Sequence, residues 1–478
     1  VSARALWTSD DIAAATSGQV QGAWAVTGIS IDSRTLQAGD LFVALKGDNH
    51  NGHDHISAAL SKGATGVLIS EGAAPGIPSV LVADTMQALT ALASAARARA
   101  QGTLIAVTGS VGKTTTKEML HHIASAQGSA HATYGNLNNH IGLPLTLARL
   151  PVDVRTGVFE VGMNHADEIA PLSKLLRPHL SLITAIGTAH IENFSDGQTG
   201  IAKAKSEISA GLATGGTAIL PRDSEFYPLL LSEARRYGAA TTLSFGKHAE
   251  ADARLLSCVL HEQSTEVTAQ IDGRPLTYLL GVPGEHMAMN SVASLMTASR
   301  AGLDLDAAAR ALLSFTPIKG RGVRKQAGTI TIIDESYNAS PLSMNAAIRV
   351  LAQHSGRGRR IVALGDMLEL GDTAVQAHAE LAAVLSEAQV DKVFCCGPLM
   401  QHLWQQVPAD RRGAWAPDAK SLAPLVASAL TAHDVLLVKG SRGQQVNING
   451  VMSPSMAQII AAVEAAQNPR KEASPHVA

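Results

Sequence analysis

A run of eight residues can handle a phosphate: Thr108, Gly109, Ser110, Val111, Gly112, Lys113, Thr114 and Thr115. The glycines let backbone N–H groups close around phosphate oxygens, where a helix N-terminus favours negative charge. Lys113 suits the β- and γ-phosphates, and the Thr114 hydroxyl suits Mg²⁺. The Gly-x-x-Gly-Lys-Thr core is shorter than the usual Walker A loop, so its context matters. The apolar run Leu104–Val107 precedes it and the helix formers Lys117–Leu120 follow it. Strand, glycine-rich loop and helix together predict a nucleotide site.

Other residues could complete such a site. Glu160 interrupts the apolar strand Gly157–Met163, and a carboxylate there is costly to bury unless it is paired or holds a cation. It occupies the place of a Walker-B-like acid. His190 follows the apolar strand Leu180–Ile186, on the edge where open α/β sheets bind ligands. Asn136, Asn138 and Asn139 fill a loop bounded by Gly and Pro and offer amide donors and acceptors to a substrate. Asp32-Ser33-Arg34 follows a strand, and its guanidinium suits a phosphate or carboxylate. The loop Lys46–His55 carries three histidines and two aspartates without a standard ligand spacing, which favours ligand contact over metal binding. Lys203 and Lys205 have helical spacing and on composition are solvated.

These residues need elements to position them, and the chain supplies them in three blocks. Residues 1–98 alternate short strands (Val26–Ile31, Leu41–Leu45, Gly66–Ile69, Ser79–Val82) with helices such as Ile56–Lys62 and Met86–Ala100. Residues 99–317 hold the phosphate loop, a β-rich excursion over Asp252–Leu279 and a helix, Met287–Ala301, carrying Asn290. Residues 318–466 read as strands Thr329–Ile333, Arg360–Leu364, Lys392–Cys396 and Asp434–Val438 with helices between, a pattern that predicts a mostly parallel sheet. Its strand ends place Asp334, Tyr337, Asn338, Asp366, Lys439, Ser441 and Arg442 toward a ligand. Lys319–Gly322 has hinge composition, and residues 467–478 read as a disordered tail. The fold class is therefore α/β, in three domains.

Bulk properties exclude several classes. A length of 478 residues exceeds one core, and 46% hydrophobic with 16% charged residues describes a globular protein. A net charge of −2 gives no electrostatic case for nucleic acid or an anionic membrane. Cys258, Cys395 and Cys396 form no disulfide framework. No signal-like N-terminus or spanning apolar run stands out, and the expected location is the cytoplasm.

Set in order, TGSVGKTTTKE, GNLNNHIGLP, FEVGMN, GTAHIE with IAKAKSEI, GRG, DESYNASP, LGDMLELG and LVKGSR resemble the Mur ligases over nearly the whole chain. Within them they look like the branch that adds D-alanyl-D-alanine to UDP-N-acetylmuramoyl-tripeptide. There is no Asp-Asn-Pro-Arg, as in the meso-diaminopimelate-adding branch. Asp-x-Ser-Tyr-Asn-Ala stands where two other branches carry Asp-Tyr-(Ala/Gly)-His.

The resemblance implies an N-terminal domain for the UDP end of the substrate, with Asp32-Ser33-Arg34 as its uridine-nucleotide loop, a central ATPase domain and a Rossmann-like C-terminal domain. It implies ATP and two Mg²⁺ ions as cofactors, with Thr114, Glu160 and His190 as ligands and Lys205 as a carbamylated lysine. Asn290 would lie on the adenine side, Arg321 on a phosphate and Asp334 at the nucleotide. Met287 and Lys319 depart from the family pattern, which has Asn and Pro there. A monomer is expected. Two other readings are a different amino-acid-adding ligase of the superfamily and a nucleotide-binding switch; Glu160, His190 and Lys205 in matching contexts speak against the switch.

Overall fold

Short apolar strands separated by amphipathic helices cannot close as hairpins; they pair in parallel and take helices on both faces. The computed structural model describes residues 5–47, 50–72, 76–441 and 455–467. It is an α/β protein of three domains, each built on its own large sheet.

The first sheet orders Gln19–Gln21, Ser79–Leu81, Gly66–Ile69, Asp40–Val43 and Gly28–Ser30, parallel except at the first edge. The strand expected at Val26–Ile31 is split. Ala25–Val26 pairs antiparallel with Trp7–Thr8, while Gly28–Ser30 joins the sheet. This domain sits on the second through the Trp7 indole N–H, which donates to the Ala148 carbonyl (2.9 Å), and Arg149, which donates to the Ile29 carbonyl (2.6 Å).

The second sheet is nine-stranded, running Arg274–Leu280, Thr265–Ile271, Ala253–Leu260, Thr241–Gly246, Thr217–Pro221, Leu180–Ile183, Thr103–Thr108, Thr156–Glu160 and Ala130–Ala132. The Asp252–Leu279 segment is not a local excursion: its three strands extend this sheet, the first parallel to Thr241–Gly246 and the next two antiparallel. Leu104–Val107 is wholly buried because helices cover both faces: Lys113–Ser125 and Glu285–Arg300 on one, Gly142–Ala148, Ile169–Leu176 and Gln198–Ser206 on the other. Glu207 caps the helix Ile169–Leu176, its carboxylate accepting from the N–H groups of Asp167, Ile169 and Ala170.

The third sheet orders Val323–Ala327, Ile330–Glu335, Val435–Lys439, Arg360–Gly365, Lys392–Cys396 and Arg412–Ala416, parallel after the first pair. The helix Ala457–Gln467 buries Ile459, Ile460 and Val463 against it. Gln467 therefore ends a helix; the rest of the expected tail, residues 468–478, lies outside the described residues. Among the described residues no helix is long and apolar enough to cross a membrane.

Candidate active site

The strand Thr103–Thr108 delivers the chain to a loop with positive φ at Gly109 (150°) and Gly112 (83°). A Cβ on Gly109 would lie 1.9 Å from the Thr184 hydroxyl, which donates to the Val111 carbonyl at 2.5 Å. Thr184, on the neighbouring strand's end, thus buttresses the loop and demands glycine opposite it. Ser110 ties the same loop to the His190 segment: its hydroxyl accepts from the Gly187 N–H (2.9 Å) and contacts the Gly187 carbonyl (3.2 Å). The helix Lys113–Ser125 starts without a side-chain cap, leaving its first N–H groups for an anion. Thr115 is half-buried in its first turn.

Lys113 folds back so that its ammonium donates to the Gly109 carbonyl (2.7 Å). Burial pushes its pKa down, and the Glu160 charge opposes that. Glu160 lies opposite Val107 in the parallel ladder, one strand from the loop. Its Oε2 accepts from the Thr114 hydroxyl (2.7 Å) and its Oε1 from the Asn138 amide (2.7 Å). Among the described residues no group of three or more His, Cys, Asp or Glu could hold a metal. Thr114 with Glu160 nevertheless fits Mg²⁺, which takes one or two protein oxygens and completes its shell with phosphates and water.

Lys205, on the helix Gln198–Ser206, is 1% exposed and pairs with no carboxylate among the described residues. Burial, and then the nearby Lys113 charge, push its pKa well below the usual lysine value. The solvated reading fits only Lys203, which is exposed and 3.4 Å from Asp196. His190 has left-handed backbone (φ 66°), and its Nδ1 lies 2.5 Å from Glu369 Oε2 of the third domain.

The third domain closes over this edge. The Arg321 guanidinium stacks on the Tyr337 ring at 4.1 Å, and its charge reaches Lys113. Leu342 presses on the His190 segment: a Cβ on Gly187 would lie 2.5 Å from its Cδ1. Asp334 is buried; its Oδ1 accepts from the Ser336 hydroxyl (2.6 Å) and its Oδ2 lies 3.5 Å from the Lys325 ammonium.

Three family models match: "Mur ligase family, catalytic domain" over residues 25–126, "Mur ligase middle domain" over 107–298, and "Mur ligase, glutamate ligase domain" over 320–442. The UDP-N-acetylmuramoyl-tripeptide--D-alanyl-D-alanine ligase of Bacillus subtilis is 35% identical over 88% of this chain and 91% of its own length. The chain belongs to the Mur ligase family. Among solved Mur ligases, MurF from Acinetobacter baumannii superposes with a TM-score of 0.82 at 31% identity, covering 97% of this chain and all of that one. MurF from Thermotoga maritima, in complex with ADP, gives 0.75 at 27% identity, covering 93% and 98%.

Within this Mur ligase, Lys113, Thr114, Glu160, Lys205 and Arg321 converge on one edge, and Asn290 meets the loop at Gly112, where a Cβ would lie 3.0 Å from its Oδ1. The residues read as substrate contacts are mostly used by the protein itself. Asn138 orients Glu160, and Asn139 caps the helix Gly142–Ala148 through the Gly142 N–H (2.9 Å). Asn136 is exposed. Lys439 is buried, donating to the Asn338 carbonyl (2.9 Å) and Glu335 (3.2 Å), and the Ser441 hydroxyl bridges Ala339 and Leu368. Arg442 lies outside the described residues, as do Asp48 and Asn49 of the histidine loop. In the first domain Asp32 and Arg34 pair with each other (2.7 Å), with the Arg34 side chain 87% exposed, and Ser33 sits half-buried between them. Met287, one of the departures, is buried and reaches Gly322; Lys319 is exposed. Sequence reasoning missed Thr184, Leu342 and Glu369 as parts of this edge. Glu369 lay in a quoted motif, but nothing local pairs it with His190.

Proposed function

We infer that this chain is an ATP-dependent ligase that joins D-alanyl-D-alanine to UDP-N-acetylmuramoyl-tripeptide, giving the pentapeptide, ADP and phosphate in peptidoglycan precursor synthesis. The observation that carries the reading is the Thr114–Glu160 pair at an uncapped helix start, beneath Arg321 of the third domain. That arrangement suits transfer of a phosphoryl group between two anions, which needs charge neutralisation and alignment more than covalent help.

A carboxylate is a poor electrophile. The γ-phosphoryl of ATP passes to the tripeptide's terminal carboxylate, giving an acyl phosphate; the dipeptide amine then attacks and phosphate leaves. The loop from Thr108 to Thr115 holds the phosphates, Lys113 swings from the Gly109 carbonyl onto the β- and γ-phosphates, and Arg321 faces the transferred group. Asn290 and Asp334 border the nucleotide, Asp32–Arg34 receives the uridine end, and Tyr337 and Asn338 border the acceptor. Thr114 and Glu160 would hold one Mg²⁺, and His190 with a carbamylated Lys205 a second; bound there, the ions neutralise phosphate charge. Lys205 is suited to carbamylation because burial and the neighbouring Lys113 charge disfavour its ammonium form, and the free amine can add CO₂ and release a proton. The resulting anion would sit beside Lys113 and give that ammonium a counter-charge. Closure of the third domain onto this edge, through Leu342 against Gly187 and the Arg321–Tyr337 stack, would limit water at the acyl phosphate. The free cysteines fit a cytoplasmic setting, and the chain is read as a monomer.

The test is phosphate release with ATP and Mg²⁺, omitting one substrate at a time. Sustained release that needs both substrates, with the pentapeptide found by mass, supports the reading. Release driven by another amine and indifferent to D-Ala-D-Ala overturns the substrate assignment.

A further inference from the structure

The helix Gly142–Ala148 belongs to two cores at once. Leu143 and Leu147 are buried in the core of the second domain, while Leu145 and Ala148 are buried among Trp7, Ile29, Leu41 and Leu92 of the first. A helix that is apolar all round is buried all round. Its ends carry the polar links. Before its start, Asn139 caps it (2.9 Å), and Asn138 holds Glu160 through its amide and the Gly162 N–H through its carbonyl (2.8 Å). Past its other end, the half-buried Arg149 donates from Nε to the Ile29 carbonyl at 2.6 Å, beside the Trp7 bond to Ala148. Gly28–Ser30 is the edge strand of the first sheet. Edge carbonyls lack a strand partner, and Arg149 supplies one. Asp40, on the adjoining strand, turns an opposite charge toward Arg149. The next residue, Ser30, shapes the Asp32–Arg34 loop: its hydroxyl donates to the Asp32 carbonyl (3.1 Å) and accepts from the Asp32 N–H (3.2 Å).

We propose that Arg149 is a positioning residue for the ligation: by pinning the edge strand of the first domain to this helix, it sets the span between the Asp32–Arg34 loop and the Thr114–Glu160 pair. The substrate is one molecule that must reach both, with its uridine in the loop and its carboxylate at the pair. The loop can hold its end whatever the span, so a slack junction misplaces only the reacting end. A misplacement of about 1 Å costs on the order of 100-fold in rate. What occupies the two ends rests on the ligase reading; the pin itself does not.

The test uses the full chain as Arg149→Met, with Arg149→Lys and Arg155→Met beside it. Arg155 is exposed and lies against Gly128, within the second domain. Spin labels at Ser57→Cys and Ser232→Cys, both exposed positions, report the distance between the first two domains by double electron–electron resonance, with Cys258→Ser as background. Calorimetry with UDP and with ADP reports each end alone, and phosphate release reports kcat and the KM for UDP-N-acetylmuramoyl-tripeptide. Arg149→Met should widen the distance distribution and lower kcat about 10- to 100-fold. The tripeptide KM and the UDP and ADP affinities should hold. Arg149→Lys keeps the charge without the planar fork and should lie between methionine and wild type; it carries both readouts if the methionine variant does not fold. Arg155→Met should match wild type. An unchanged distance distribution or an unchanged kcat in Arg149→Met would overturn the proposal. So would a loss of UDP affinity that accounts for the whole loss of activity, because Arg149 would then support only the loop. A widened distribution with intact UDP affinity, in a chain whose wild type does not ligate D-Ala-D-Ala, would uphold the pin and refute the substrate reading instead.

Discussion

Asn138→Ala separates two roles for the asparagine loop. The Asn138 amide donates to Glu160 Oε1 at 2.7 Å, while Oε2 is held by Thr114. A hydrogen bond to a charged group contributes about 1.5–3 kcal/mol, and each ~1.4 kcal/mol is a factor of ten in an equilibrium constant. If the whole of that loss falls on the orientation of Glu160, the KM for Mg²⁺ should rise by about 10- to 100-fold. Whatever part falls on the fold instead appears as lost stability. Phosphate release titrated with Mg²⁺ at saturating substrates, beside urea unfolding, measures both. The KM for UDP-N-acetylmuramoyl-tripeptide should hold steady, because Asn138 points at the carboxylate. A raised tripeptide KM with an unchanged Mg²⁺ KM would refute this reasoning and restore the substrate-contact role.

Gly109→Ala should cost about 1–3 kcal/mol of stability through overpacking and raise the ATP KM. Its Cβ would lie 1.9 Å from the Thr184 hydroxyl; wild-type unfolding and ATP KM would contradict this. Lys205→Met should abolish ligation while sparing nucleotide binding by calorimetry. Because burial lowers the pKa of the unmodified amine, the unfolded chain binds the extra proton. In CO₂-free buffer, wild-type stability should therefore rise with pH between the lowered folded value and the ordinary lysine value, and the variant should lose that slope. Full ligation by Lys205→Met would sink the carbamate role. His131, whose ring Nε2 pairs with the Thr146 carbonyl at 2.9 Å, is pushed from 6.5 down to about 4, chiefly by burial. Its folded form stays neutral while the unfolded form takes a proton, so stability should fall as pH drops from about 6.5 and level off below about 4, by up to about 3 kcal/mol. His131→Gln keeps a donor for Thr146 and should flatten that slope in urea titrations between those values.

The sequence by itself determined the class of fold and the location of the glycine-rich strand–loop–helix turn, because both are written in contiguous residues. Leu104–Val107 is a run of apolar residues because a parallel strand is covered on both faces, and Gly109 and Gly112 supply positive φ where the loop must turn. Glu160 was legible because a lone carboxylate in an apolar strand needs a reason. What the sequence left undecided lies between segments distant along the chain. Asn138 read as a substrate contact because its partner is 22 residues away. Asp252–Leu279 read as a local excursion because strand alternation does not say which sheet a strand joins. Lys205 read as solvated on composition because the pattern of one helix does not reveal which neighbour covers it. Only the tertiary structure decided that Lys205 is buried with no counter-ion among the described residues, that Lys439 and Ser441 brace their own domain, and that Glu369 meets His190. Those outcomes depend on how whole domains dock, and docking is set by the summed burial of many side chains rather than by any local run of residues.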